Sequence, residues 1–130
     1  MHRIARFIDH VDLRVRSARA ATPFYDAFFG ALGLRRMTAD DVAWVEYAYA
    51  DGTTPYFALT SEAGHRGNAN RIAFAADSRV EVDQAWAAVR DTGAVAIEGP
   101  GLCPEYDPTY YAVFFEDSDG NRFEVCCHAG

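Results

Sequence analysis

"IDHVDLRV" at residues 8–15 and "RIAFAAD" at residues 71–77 decide the fold, because they are two versions of one pattern set roughly sixty residues apart. In the first, Val11, Leu13 and Val15 alternate with His10, Asp12 and Arg14, the period of a strand with one buried face. In the second, Ile72 and Phe74 share a face in the same way. Each stretch leads into a helix. After the first, Pro23 fits an early helical turn, Phe24, Phe28 and Leu32 recur at four-residue steps, and Gly33 supplies a left-handed stop. After the second, Ser78 and Glu81 form a capping box, Val82, Trp86 and Val89 line a face, and Gly93 ends the helix. Extended segments then follow both helices. "VAWVEYAYA" (42–50) and "PYFALTSE" (55–62) are joined through Asp51-Gly52, with a further strand around residues 34–38. "AVAIEGP" (94–100), "YYAVFFED" (110–117) and "RFEVCCH" (122–128) complete the second half, the last two joined by the turn "SDGN". The chain is a duplicated βαβββ unit, with modules 7–62 and 69–128 sharing one core.

The 130 residues, half of them apolar, suffice for one sizeable core and are too few for two ordinary domains. A formal charge of -7 argues against a nucleic-acid partner and against attraction to anionic lipid. No apolar run reaches the length of a membrane span and no secretory leader opens the chain, so a cytoplasmic location is expected. Three cysteines, Cys126 and Cys127 adjacent, lack framework spacing and suit reduced thiols.

"IDHVDLRV", "FY" in the first helix, "LGL" after it, "RIAF" opening the second half and "YYAVFFEDSDGNRFEV" at the end together resemble the vicinal oxygen chelate superfamily. That group holds glyoxalase I, extradiol dioxygenases, epimerases, and fosfomycin and bleomycin resistance proteins. The resemblance implies an α+β fold in which two βαβββ modules form a curved mixed sheet around a cavity, helices outside. It also implies a divalent ion (zinc, nickel, manganese or iron) held by a histidine on the first strand of one module, a matching ligand on the other, and a glutamate on a last strand. His10 and Glu124 stand at two of these places as metal ligands and catalytic residues. Strand parity agrees: if Val11, Leu13 and Val15 face a helix, His10 faces the cavity, and Glu124 does so between Phe123 and Val125.

The pattern is incomplete. Aligning the two halves puts Arg71 on His10, and a guanidinium has no lone pair for a metal, so any ion is weakly held. Aligning "DGNRFEV" with "DGTTPYF" puts Tyr56 on Glu124. A replacement ligand could come from His65, Cys126 or His128. Alternatively Arg71 pairs with Glu124 and replaces the metal's charge. Two functions stay open. One is a metal-assisted lyase, isomerase or dioxygenase of the glyoxalase type. The other is metal-free binding or sequestration of a small organic molecule, a drug included, with Arg71, Tyr56, Cys126 and Tyr106 as ligand-binding residues. The irregular segment "GPGLCPEYDPTYY" (99–111) is expected at the cavity mouth, with Pro104, Glu105, Tyr106 and Asp107 on its rim. Trp44, Tyr47, Tyr49, Tyr110 and Tyr111 are assigned mainly to core or dimer packing, with some of them able to line the pocket and stack on a flat ligand, and a homodimer is expected, as is common for short members of the superfamily.

Overall fold

Both repeated stretches form strands, and each feeds a helix capped at its start by a serine. The computed structural model describes residues 7–38 and 43–128; Val42, counted into a strand from sequence, lies outside them. The order is β1 (His10–Val15), α1 (Ala18–Ala31), β2 (Arg35–Arg36), β3 (Trp44–Ala48), β4 (Tyr56–Ser61), β5 (Arg71–Ala75), α2 (Arg79–Val89), β6 (Val95–Leu102), β7 (Tyr111–Glu116) and β8 (Arg122–Cys127).

Helix α1 starts earlier than its apolar spacing suggests, because the Ser17 hydroxyl accepts from the Ala20 N–H at 3.1 Å. Pro23 therefore falls in the second turn, where it cannot donate to the Arg19 carbonyl. The Thr22 hydroxyl donates to that carbonyl instead, at 2.9 Å. Gly33, at φ +92°, stops the helix in a left-handed turn closed by Leu34 N–H to Phe29 O at 2.8 Å. Helix α2 has its capping box, with a shift: Ser78 accepts from Glu81 N–H, while the Glu81 carboxylate reaches back to Asp77 N–H at 2.7 Å.

The strands make two open four-stranded mixed sheets, ordered β1-β4-β3-β2 and β5-β8-β7-β6. In each, the first strand runs parallel to the last, and the remaining neighbours are antiparallel. This is the expected α+β fold of two βαβββ modules, each module contributing its own four-stranded mixed sheet, and among the described residues no ladder joins β1 to β5. One core holds them together. Helix α1 contributes Phe24, Tyr25, Phe28 and Phe29, all buried, and Phe28 meets Phe74, Phe115 and Phe123 of the second sheet at 5.2, 5.1 and 5.2 Å. Phe29 stacks on Phe57 of the first sheet at 4.9 Å. Each such ring contributes about 1.5–3 kcal/mol relative to exposure.

A polar joint ties the halves at one end. The Tyr25 hydroxyl donates to buried Asp117, whose other oxygen accepts from the Asp119 and Asn121 N–H groups at 2.9 Å each. The Asn121 amide nitrogen donates to the Arg14 carbonyl at 2.9 Å, and its oxygen faces His65 Nε2 at 2.9 Å. Gly67 packs so closely here that a Cβ would lie 1.9 Å from the Gly120 carbonyl oxygen. Among the described residues no helix is long and apolar enough to cross a membrane. Cys103, Cys126 and Cys127 are buried, and none of them is in a disulfide.

Strand parity sorts every side chain. Leu13, Val15, Phe57, Leu59, Val113, Phe115, Phe123 and Val125 enter the core shared with the helices. The opposite parity leaves each sheet a helix-free face, carrying His10 and Tyr56 on the first and Arg71 and Glu124 on the second.

Candidate functional site

On the first sheet, His10 opens β1 and pairs in register with Tyr56 of β4. Their rings stack with centroids 4.7 Å apart and planes 10° from parallel. His10 Nδ1 lies 2.8 Å from an Asp9 carboxylate oxygen. The carboxylate can only accept, so Nδ1 carries the proton and Nε2 keeps its lone pair when the ring is neutral. The hydrogen bond that His10 donates to Asp9 raises the His10 pKa above its ordinary value; desolvation opposes it, and the charges of Asp12, Asp9 and Glu46 add to it. Burial, and then the same three carboxylates, push the Tyr56 hydroxyl up as well. This face is an exposed aromatic pair in an acidic surround.

On the second sheet, Glu124 is only 6% exposed, and the Tyr110 hydroxyl donates to its carboxylate. Tyr110 is held in turn by the rings of Tyr106 at 5.1 Å and His128 at 4.8 Å. Its hydroxyl pKa is driven far up, first by burial, then by the neighbouring Cys126 and Glu124. Burial pushes the Cys126 thiol up, against the hydrogen bond from Tyr110. The segment carrying Tyr106 is a closed turn, with Cys103 N–H on the Tyr110 carbonyl at 2.7 Å and Tyr106 N–H on the Cys103 carbonyl at 3.0 Å. Asp107 caps it by accepting from Thr109 N–H at 2.8 Å, the bond that most lowers its pKa. Pro104, Glu105 and Tyr106 are exposed around this turn.

Arg71 lies on the same face, its guanidinium carbon 4.9 Å from the Phe114 ring centroid. Phe114 is the cross-strand neighbour of Glu124. The Arg71–Glu124 ion pair expected from sequence does not form; the cation rests on the ring beside the carboxylate, and Tyr110 takes the carboxylate. The pairing of Tyr56 with Glu124 is also corrected. Register sets His10 against Tyr56 and Asp12 against Ala58, Arg71 against Arg122 and Ala73 against Glu124. With Arg71 at the place of His10, Ala58 stands at the place of Glu124. The shared Asp-Gly misled the alignment because β4 begins four residues after Gly52 and β8 only two after Gly120.

The structure thus gathers Arg71, Glu124, Cys126 and Tyr106 on the second sheet, and His10 with Tyr56 on the first. Among the described residues no three His, Cys, Asp or Glu side chains lie together in a way that could hold a metal ion. Of the proposed replacements, His65 faces Asn121 in the polar joint, and His128 is exposed beside Asp107 at 3.5 Å. Tyr110, grouped by sequence with aromatics that mainly pack and in part line a pocket, is the one that holds Glu124. Its position, two before Ala112 and four before Phe114, carries the parity of Glu124's face, which was the available signal.

Comparison with known proteins fits this architecture. The profile of the Glyoxalase/Bleomycin resistance protein/Dioxygenase superfamily matches residues 7–125. A glyoxalase/bleomycin resistance protein from Albidiferax ferrireducens T118 superposes with a TM-score of 0.78 at 25% identity, covering 95% of this chain and 100% of that one. A glyoxalase/bleomycin resistance protein/dioxygenase family enzyme from Burkholderia phytofirmans PsJN gives 0.72 at 16% identity, covering 93% and 98%. The fosfomycin resistance protein FosX from Listeria monocytogenes gives 0.70 at 17%, covering 97% and 96%. Among curated proteins nothing matches.

Proposed function

The chain belongs to the Glyoxalase/Bleomycin resistance protein/Dioxygenase superfamily, and from that premise we propose that it binds a small organic molecule against the helix-free faces of its sheets. Arg71 and the Tyr110–Glu124 pair are its polar anchors, Tyr106, Tyr56 and Cys126 flank the ligand, and no metal is tightly held. The observation that carries this reading is the donor set. The divalent ion implied by the resemblance does not fit the residues of one chain, since His10 and Glu124 stand on different sheets and Arg71 replaces a ligand with a cation. A guanidinium on an aromatic face next to a buried carboxylate is instead a ready pair of anchors for a ligand bearing both an acceptor and a donor.

A second reading, a metal-assisted lyase, isomerase or dioxygenase, is favoured by one feature. Asp9 holds His10 Nδ1 and leaves Nε2 free, the arrangement in which a carboxylate orients a ligand imidazole. It requires Glu124 of a second copy to approach His10. A homodimer suits both readings, and Trp44, Leu102 and Tyr106, all about half exposed on one chain, supply apolar surface for it. Buried cysteines outside any disulfide suit a reducing cytoplasm.

The test is titration with zinc, nickel and manganese of the parent, His10→Ala and Arg71→His proteins. We expect weak binding by the parent and at least about tenfold tighter binding by Arg71→His. Stoichiometric metal in the parent that is lost in His10→Ala would favour the metal-assisted reading. Equal affinity of parent and Arg71→His would remove Arg71 from the ligand position.

A further inference from the structure

We propose that the seam between β1 and β5 is a second ligand site, for a flat, neutral, mostly apolar molecule carrying a cis-amide edge, the N–H and C=O side by side as in a lactam. The seam holds a cavity of about 300 Å³ between the two sheets, floored by Val11, Phe57, Ile72 and Phe74 and closed by Leu34 and Tyr49. That volume lies at the lower end of small-molecule sites. No side chain lining it is charged, so an ion entering it would lose hydration without a partner.

Its wall is an open strand edge. β5 pairs with β8 alone, and Ala76 N–H donates to the Cys126 carbonyl at 2.8 Å. Backbone groups of alternate residues point to opposite sides of a strand. Residues 72, 74 and 76 therefore address β8, while Ala73 and Ala75, both exposed and both lining the cavity, aim their N–H and C=O into the seam. Among the described residues no backbone or side-chain group bonds them from that side. On the facing strand, Glu62 N–H donates to the Val15 carbonyl at 2.8 Å, which by the same alternation turns the His10 and Asp12 backbone groups outward. One strand residue offers a donor and an acceptor in the spacing that a cis-amide satisfies with two parallel bonds; a carboxylate would use only the donor. The apolar floor takes the ring body and the edge takes the amide. β5 serves both sites in different ways: on the Glu124 face it offers the Arg71 side chain, whereas in the seam it offers the backbone edge of Ala73 and Ala75, so a test of the edge is a test of this site alone.

The probe is 2-quinolone, a bicycle with a lactam edge, titrated into the full chain by fluorescence and calorimetry beside N-methyl-2-quinolone and naphthalene. We expect saturable binding of 2-quinolone, about tenfold or more tighter than the N-methyl analogue, which lacks the donor. Proline at an edge position whose N–H faces away from the ladder leaves the sheet paired. Ala73→Pro or Ala75→Pro, whichever residue meets the lactam, should therefore lose about tenfold in affinity with an unchanged circular dichroism spectrum. Should a proline variant unfold, the ligand series still decides. Equal affinities for the three probes, no saturation up to about 1 mM, or an affinity that falls as the protein self-associates at higher concentration would each overturn the proposal, the last by assigning the edge to a second copy.

Discussion

His10 and Arg71 open equivalent strands, yet their surroundings have little in common. His10 stacks on Tyr56 in a wet, acidic surface and donates a hydrogen bond from Nδ1 to Asp9. Arg71 lies on Phe114, which is 4% exposed, beside a carboxylate almost removed from water. The duplicated backbone therefore offers one exposed, titrating half-site and one in which an exposed guanidinium rests on a buried ring beside a buried carboxylate. In water an imidazole–carboxylate contact is worth little, whereas in the drier face each polar group needs its partner. The asymmetry follows from a few residues: Tyr110 and Phe114 roof the second face, and Ala58 leaves the matching place on the first without a carboxylate.

The largest test of this contrast removes the roof. Phe114→Ala should cost about 3 kcal/mol or more in urea denaturation, because a buried ring is lost and Arg71 loses its platform. Trp44→Ala on the first face, with Trp44 46% exposed, should change chain stability by no more than about 0.5 kcal/mol but weaken self-association by about tenfold in sedimentation. Equal stability losses would erase the distinction between dry and wet faces. A smaller difference is expected for the hydroxyls. Tyr110→Phe leaves Glu124 buried without its donor and should cost about 1–3 kcal/mol, whereas Tyr56→Phe should stay within about 0.5 kcal/mol, read from the same denaturation midpoints. The smallest effect is electrostatic. Asp9→Asn should lower the His10 pKa in an NMR titration, because the hydrogen bond to Asp9 is the main cause of its rise. A raised histidine pKa in the folded chain adds stability below the unfolded value and loses it as pH rises through the folded one. The variant should therefore flatten that limb of the stability profile; an unmoved His10 titration would mean that Asp9 does not hold the ring.

Both helices and the repeated strands were readable in the sequence because period-two and four-residue spacings need no partner to interpret. The face of Glu124 was readable for the same reason, its neighbours Phe123 and Val125 being committed to the core. Partners across space were not. Nothing local announces that Tyr110 reaches Glu124, that Arg71 prefers a ring to a carboxylate, or that Tyr25 donates to Asp117 from a distant helix. Register failed where loop lengths differ, since a turn dipeptide marks a reversal without counting the residues to the next ladder. The two-module α+β fold was legible too, whereas the order of strands within each sheet was not, because strand patterns say which face is buried and not which edges pair.

The contact between Gly67 and Gly120 sets a sharp boundary in sequence space. Position 67 admits no Cβ, since the atom would overlap a carbonyl belonging to the other end of the polar joint. Gly64, three residues earlier, has nothing within 4 Å of the corresponding point. Random substitution along this connection would thus leave one position monomorphic and its near neighbour free to vary. The route between the halves is pinned at Gly67 by shape and at His65 by its contact with Asn121, while the side of Gly64 that faces solvent is open to substitution.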